Sequence, residues 1–308
     1  MMMVSEVIQS ELCTVGDWIR WTASRLQEHQ VHLGHGTDNA WDEAVQLVLQ
    51  ALYLPVESDA VVFYARVTTP EKKTLATLIK RRIEDRVPLP YLTHQAWFMG
   101  MPFYVDERVL IPRSSIGEWI ERHFEPWLQE GSVSHILEIG TGSGCIAIGC
   151  AKAFPEAQVD AIDISAEALA VATRNIQKHH VEDQVYLYQS DVYEALPLMQ
   201  YDLIVSNPPY VSAVEMETLP SEYRHEPRLA LAADDMGLAI VERILQGAVR
   251  YLKPTGILVV EVGNTEEAVM ARYSDVPFVW LSHESGEGGV FLLTAEEIVR
   301  NFSPLKKR

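Results

Sequence analysis

Near the amino end, apolar residues recur at helical spacing in three stretches. Val15, Trp18, Ile19 and Leu26 predict a helix from residue 14 to about 30, with Thr14 as its cap. Ala44, Leu47, Val48, Ala51 and Leu52 mark a second helix. Leu75, Leu78, Ile79 and Ile83 mark a third, which opens on Thr69-Pro70-Glu71. From His135 the period changes, and short apolar runs alternate with helical patterns. Strands are expected at 135–140, 158–164, 184–189, 201–206 and 256–262, and helices at 145–154, 166–180, 236–252 and 265–272. Such alternation predicts a doubly wound, mostly parallel sheet. Two closing strands, 278–282 and 289–294, lie too near each other for a helical crossover, so one of them runs antiparallel.

Punctuation divides the chain. Val87-Pro88-Leu89-Pro90-Tyr91 reads as a linker by its prolines, and 96–99 with 102–105 as a hairpin around Gly100-Met101. Leu110-Ile111-Pro112-Arg113 leads into a helix ending near Glu125, with Arg113 and Glu118 as charges at the mouth of the later domain. The expected organisation is a small helical substrate-recognition domain over 1–87, a linker and β-hairpin over 88–112, and an α/β domain over 113–308.

Two polar features of the helical part have competing readings. His32 and His35 with Asp38 and Asp42 suggest a metal site, but nothing else in the chain completes one, so a capping or partner-binding loop is favoured and no metal is expected. Lys72, Lys73, Lys80, Arg81, Arg82 and Arg86 form a basic face on the third helix, either a solvated surface or a contact for RNA or ribosome.

The 308 residues suffice for two domains, and 48% hydrophobic with 22% charged residues is ordinary for a globular protein. The net charge of -18 is not ordinary. Lys and Arg number 10 against 14 acids in 1–110, and 15 against 29 in 111–308. Such a surface repels phosphate backbones, which argues against free DNA and for a basic protein partner. Cys13, Cys145 and Cys150 are odd in number and read as reduced thiols. No basic residue precedes Arg20, and Glu6 and Glu11 are unlike a secretory signal. The charge-free run 139–151 is too short to span a bilayer, so the expectation is a cytoplasmic protein with no membrane segment.

Candidate chemistry sits at the ends of four successive strands. Glu138-Ile139-Gly140-Thr141-Gly142-Ser143-Gly144 joins a strand to a helix, where glycines let backbone approach a ligand. Alone it also suits a nicotinamide binder, but a dinucleotide fingerprint places its third glycine where this chain has Cys145, which favours S-adenosylmethionine. Asp163 follows the second strand, where a carboxylate takes both ribose hydroxyls. Asp191 follows the third, where adenine's amino group lies; singly, each acid reads equally well as a helix cap. Asn207-Pro208-Pro209-Tyr210 follows the fourth. Two prolines stiffen the backbone and leave carbonyls free. The Asn207 side-chain oxygen and the Pro208 carbonyl then make two fixed acceptors for a planar NH2 group, and Tyr210 offers a flat face.

With these motifs in order, 113–308 resembles the Rossmann-like class I S-adenosylmethionine-dependent methyltransferases, with a mostly parallel seven-stranded sheet holding one antiparallel strand. Ile111-Pro112-Arg113, the glycine loop, the Asn207 tetrad and Glu261-Val262-Gly263 resemble the protein-glutamine N5-methyltransferases. Gly34 to Ala44 is similar to a stretch of the branch that acts on ribosomal protein L3, and Val192 stands where the release-factor branch has an aromatic residue. The resemblance implies N5-methylation of a glutamine in ribosomal protein L3, free or in the assembling large subunit. Release-factor Gly-Gly-Gln methylation is the alternative, and DNA adenine methylation a more distant one. It also implies S-adenosyl-L-methionine as cofactor, with S-adenosyl-L-homocysteine as product. Glu138, Gly140, Thr141, Gly142, Ser143 and Gly144 would hold the methionine part, Asp163 and Ile164 the ribose, and Asp191 and Val192 the adenine. Asn207, Pro208, Pro209 and Tyr210 would carry catalysis, with Asn207 also at the cofactor, and the acidic loop 211–235 would cover the substrate.

Overall fold

The computed structural model describes residues 10–129, 131–282 and 289–303. The outer ends of the two expected domains, 1–9 and 304–308, lie outside the described residues. The chain forms two compact units. The first comprises 1–96 together with 220–225, and the second 97–219 together with 226–308.

In the first unit, helix α1 (Val15–Glu28) starts where the Asp17 carboxylate accepts the Thr14 amide at 2.8 Å and the Thr14 hydroxyl accepts the Asp17 amide at 3.1 Å. Its buried face is Val15, Trp18, Ile19, Thr22 and Leu26. Helix α2 (Ala40–Ala51) is capped by Asn39 and buries Glu43 among Ala40, Ala44, Leu47, Val48 and Leu49. Helix α3 (Thr69–Ile83) is capped by Thr68, one residue earlier than Thr69-Pro70 suggests, because Glu71 reaches back to the Thr68 amide at 2.7 Å. One residue of its expected basic face is misplaced: Arg82 is fully buried, held by carboxylates described below. The proline-rich 87–91 is no open linker either. Leu89–Thr93 is a short helix, α4, with Leu89, Pro90, Tyr91 and Leu92 buried, since proline in a first turn loses no helical hydrogen bond.

The second unit begins at Trp97, within β1 (Ala96–Phe98), whose hairpin partner is β2 (Met101–Phe103). The helix expected to run to Glu125 is shorter, α5 (Ile116–Glu121). A seven-stranded sheet follows: β3 (His135–Ile139), β4 (Gln158–Asp163), β5 (Val185–Gln189), β6 (Tyr201–Ser206), β7 (Leu252–Gly263), β8 (Val279–Trp280) and β9 (Gly289–Thr294). Their spatial order is β5-β4-β3-β6-β7-β9-β8, and β9 runs antiparallel to both neighbours. The sheet is therefore mostly parallel with one reversed strand, as the spacing of the last two strands predicts.

All six residues of β6 are buried. Leu203 and Val205 join the apolar cluster on one face and Ile204 the cluster on the other, as the two-residue period of a strand demands, while Tyr201 joins the Ile204 cluster because the register shifts between Tyr201 and Leu203. Helices α6 (Cys145–Ala153) and α5 cover the first face, and α10 (Ala239–Tyr251) with α12 (Ala295–Phe302) the second. Order reverses between β3 and β6, so the glycine loop and the Asn207 tetrad leave adjacent strands at the switch point, where open α/β sheets bind ligands.

Candidate functional site

A cavity enclosing about 980 Å³, part of it open to solvent, lies at that switch point. From the glycine loop it is lined by Ile139, Gly140 and Gly142, from the end of β4 by Asp163 and Ile164, after β5 by Ser190, Asp191 and Val192, and after β6 by Asn207, Pro208 and Pro209. The structure thus brings together residues from the ends of four strands. Gly140 and Gly142 take φ of +78° and +53°, and a Cβ on either would project into open space. Their backbone is bare toward the cavity, as close approach to a ligand requires.

Other residues of the glycine motif brace the loop from behind. Glu138 is buried; its Oε2 accepts the Thr141 hydroxyl at 2.6 Å and the Ala147 amide at 2.9 Å. Desolvation raises the Glu138 carboxyl to about 8 despite both hydrogen bonds. Thr141, Ser143 and Gly144 do not line the cavity; Ser143 is buried and Gly144 carries the αL turn that starts α6. Asp163 links two strand ends, since Oδ2 accepts the Gly142 amide and Oδ1 the Ser165 amide, each at 2.9 Å. Burial raises its pKa, and each oxygen keeps a lone pair for a ligand hydroxyl. Asp191 is tied to Arg243 at 2.8 Å. Val192 takes φ of +52°, a conformation that costs a β-branched residue about 1–3 kcal/mol, and so forms a strained wall of the cavity.

The tetrad is fixed from several sides. The Ser206 hydroxyl donates to the Ile139 carbonyl at 2.7 Å, tying β6 to β3 just before the site. Val211 just after it donates to Leu231 and accepts from Ala233, each at 2.9 Å. Tyr210 lies against Gly263, where a Cβ would collide with its ring, and its backbone lies against Gly237 in the same way. The side chain of Asn207, by contrast, makes no hydrogen bond to any described residue and faces the cavity it lines.

Several contributors have no local signal in the sequence. Asn175, on α7 (Ala166–His179), is fully buried. It donates to the Ser143 carbonyl at 2.8 Å and the Tyr104 carbonyl at 2.9 Å, and accepts the Tyr104 amide at 2.7 Å. In the sequence it is one polar residue on a helix. Asn175→Ala is expected to cost roughly 2–4 kcal/mol by stranding a buried amide and two carbonyls, and to weaken ligand binding at the loop. A denaturation midpoint equal to wild type would refute this. Arg108 also lines the cavity, oriented by Asp106 through bonds of 2.8 and 2.6 Å. Pro227, Leu229 and Ala230 complete the wall. Arg113 does not reach it: its guanidinium holds the Glu226 carboxylate at 2.9 and 3.0 Å, which pins the start of that wall.

The polar residues 32–42 are engaged with other side chains. His32 and His35 pack edge-on to each other and tilted against Tyr223, Asp42 accepts from the α2 cap Asn39, and among the described residues no three His, Cys, Asp or Glu side chains converge on a metal position. Among the described residues no helix is long and apolar enough to cross a membrane.

A reversed strand set between the last two parallel ones of the sheet, a bare glycine loop and an Asn-Pro-Pro-Tyr turn across the switch point define a class I methyltransferase. Residues 124–221 match the family model "Methyltransferase small domain". The hMettl16 catalytic domain bound to a MAT2A 3'UTR hairpin superposes with a TM-score of 0.51 at 16% identity, over 74% of this chain and 82% of that one, a likeness of fold alone. The ribosomal protein uL3 glutamine methyltransferase of Francisella tularensis is 44% identical over 97% of this chain and 96% of its own length. That of Bordetella pertussis is 46% identical over 94% and 98%. The chain belongs to the family of ribosomal protein uL3 glutamine methyltransferases.

Proposed function

We propose that this protein methylates the side-chain nitrogen of a glutamine in ribosomal protein uL3, with S-adenosylmethionine as methyl donor. The observation that carries the reading is Asn207, whose carboxamide is unspent on any described residue while it lines the same cavity as the glycine loop. The cavity lining fits the cofactor on physical grounds. Bare backbone at Gly140 and Gly142 suits the methionine part, and Arg108 supplies a cation for its carboxylate. Asp163 and Ile164 suit the ribose, and Asp191 with Val192 the adenine. When bound, S-adenosylmethionine supplies a methyl group on a sulfonium, an electrophile that needs alignment more than a general base.

A glutamine amide is a weak nucleophile because its nitrogen lone pair is delocalised into the carbonyl. Asn207 Oδ1 and the Pro208 carbonyl hold its two N–H groups, which turns the lone pair out of conjugation and toward the cavity. Pro208 and Pro209 keep these acceptors from relaxing, so the alignment is built into the backbone. Tyr210 is seated on Gly263 and is not among the cavity-lining residues; its proposed part is to pack beside the carboxamide once the substrate is bound. Pro227, Leu229 and Ala230 exclude water from the donor side. The net charge of -18 favours a basic protein over nucleic acid as substrate.

The test is to incubate the purified protein with labelled S-adenosylmethionine and, separately, uL3, a peptide release factor and duplex DNA. Label on a uL3 glutamine is the expected result. Label on the release factor alone would move the substrate to the sister branch, and label on DNA would overturn the glutamine reading.

A further inference from the structure

The loop that leaves the tetrad carries at its middle a segment, 220–225, that packs within the first unit. Its centre is Glu222, only 2% exposed. Glu222 Oε1 accepts the His32 amide at 3.1 Å and lies 3.6 Å from Arg82 Nη1 and 3.5 Å from Arg86 Nη1. Arg82, 1% exposed, donates through Nε to Glu43 Oε1 at 2.5 Å and through Nη2 to the His32 carbonyl at 2.7 Å. The other oxygen of the buried Glu43 accepts the Thr37 hydroxyl at 2.8 Å. Tyr223 packs with its ring centroid 4.6 Å from that of His35, the two rings tilted by 51°. The polar stretch 32–43, which reads as a capping or partner-binding loop, is thus folded inward around Glu222 and Tyr223.

Burying ions costs several kcal/mol each even after relaxation. A segment that only needed covering would be held by apolar contacts at less cost. Two carboxylates and two guanidiniums, balanced in charge, instead give the segment a single allowed position. After it the chain forms cavity wall, and before it the chain is tied to that wall. Toward the tetrad, Val211 pairs with 231–233; toward α10, Glu226 is gripped by Arg113 and Pro227, Leu229 and Ala230 form wall.

We propose that Glu43, Arg82 and Glu222 are positioning residues for methyl transfer: by anchoring 220–225 they fix both flanks of the loop that follows the tetrad, the second of which lines the cofactor cavity. The kinetic part of this rests on the methyl-transfer reading above. The structural part does not.

The full-length protein serves for the test, with Glu222→Ala, Glu222→Gln and Tyr223→Ala, because Arg82 keeps Glu43 as partner in all three. In Glu222→Ala, amide hydrogen exchange over 211–219 and 226–235 should quicken about tenfold while that of β6 and α1 stays at the wild-type rate. Turnover should fall at least about tenfold while cofactor Kd stays within about threefold. Glu222→Gln should recover most of both, since its amide oxygen still accepts the His32 amide. Tyr223→Ala, which strands no charge, should loosen the same peptides if Glu222→Ala proves too unstable to measure. Unchanged exchange in the flanks of both alanine variants, or unchanged turnover with loosened flanks, would overturn the proposal. A wild-type protein inactive on uL3, with the exchange result intact, would sink the substrate reading and leave the anchor standing.

Discussion

Asn207→Ala is expected to lower turnover about 10²–10³-fold, the loss seen when one fixed polar partner of a reacting group is removed. Cofactor affinity should stay within about twofold, since Asn207 is one of many residues that line the cavity, with the glycine loop, Asp163 and Val192 among the others. No partner is broken in the folded protein, because the side chain hydrogen-bonds to no described residue, so the denaturation midpoint should not move. That combination separates a group that orients substrate from one that supports the fold. Calorimetric titration with S-adenosylmethionine and a single-turnover methylation assay read the two quantities. Turnover at the wild-type level would refute the role of Asn207 and, with it, the mechanism.

What was legible in the sequence is what local periodicity controls. β6 is buried on both faces and reads as a continuous apolar run, and the glycine loop and Asn-Pro-Pro-Tyr are recognisable because they need particular residues at particular spacings. The reversed strand followed from the short link between the last two strands. What was hidden depends on distant partners. Arg82 sits among four other basic residues on its helix and looks like a solvated face, yet its carboxylates come from another helix and from a loop far along the chain. Asn175 looks like a surface helix residue until the Tyr104 and Ser143 backbones meet it. Glu138 and Thr141 show the converse: their motif is plain in the sequence, but the structure puts them behind the loop and not in the cavity wall.

Glu138 leads to a second large effect, in stability against pH. Its carboxyl, ordinarily near 4.5, is raised to about 8 by burial, so between those values the folded protein holds a proton that the unfolded chain has lost. The sign follows: this stability is fully present below about pH 4.5 and is lost as pH rises toward 8. At 1.36 kcal/mol per unit the shift amounts to roughly 5 kcal/mol at most, and relaxation around the loop reduces it to a few. Asp163, also raised by burial, acts in the same direction. His32 and His179, lowered by burial, act oppositely, losing stability as pH falls through the histidine range. Asp202, held low chiefly by hydrogen bonds from Lys253, Ser134 and His135 against its burial, matters only in more acid solution. Glu138→Gln isolates the contribution, because its amide oxygen can still accept from Thr141 and Ala147 but cannot ionise. Relative to wild type, the variant should gain a few kcal/mol between pH 5 and pH 8.5. Urea denaturation of both proteins across that range measures the difference, and parallel curves would show that Glu138 is not protonated in the folded protein at neutral pH.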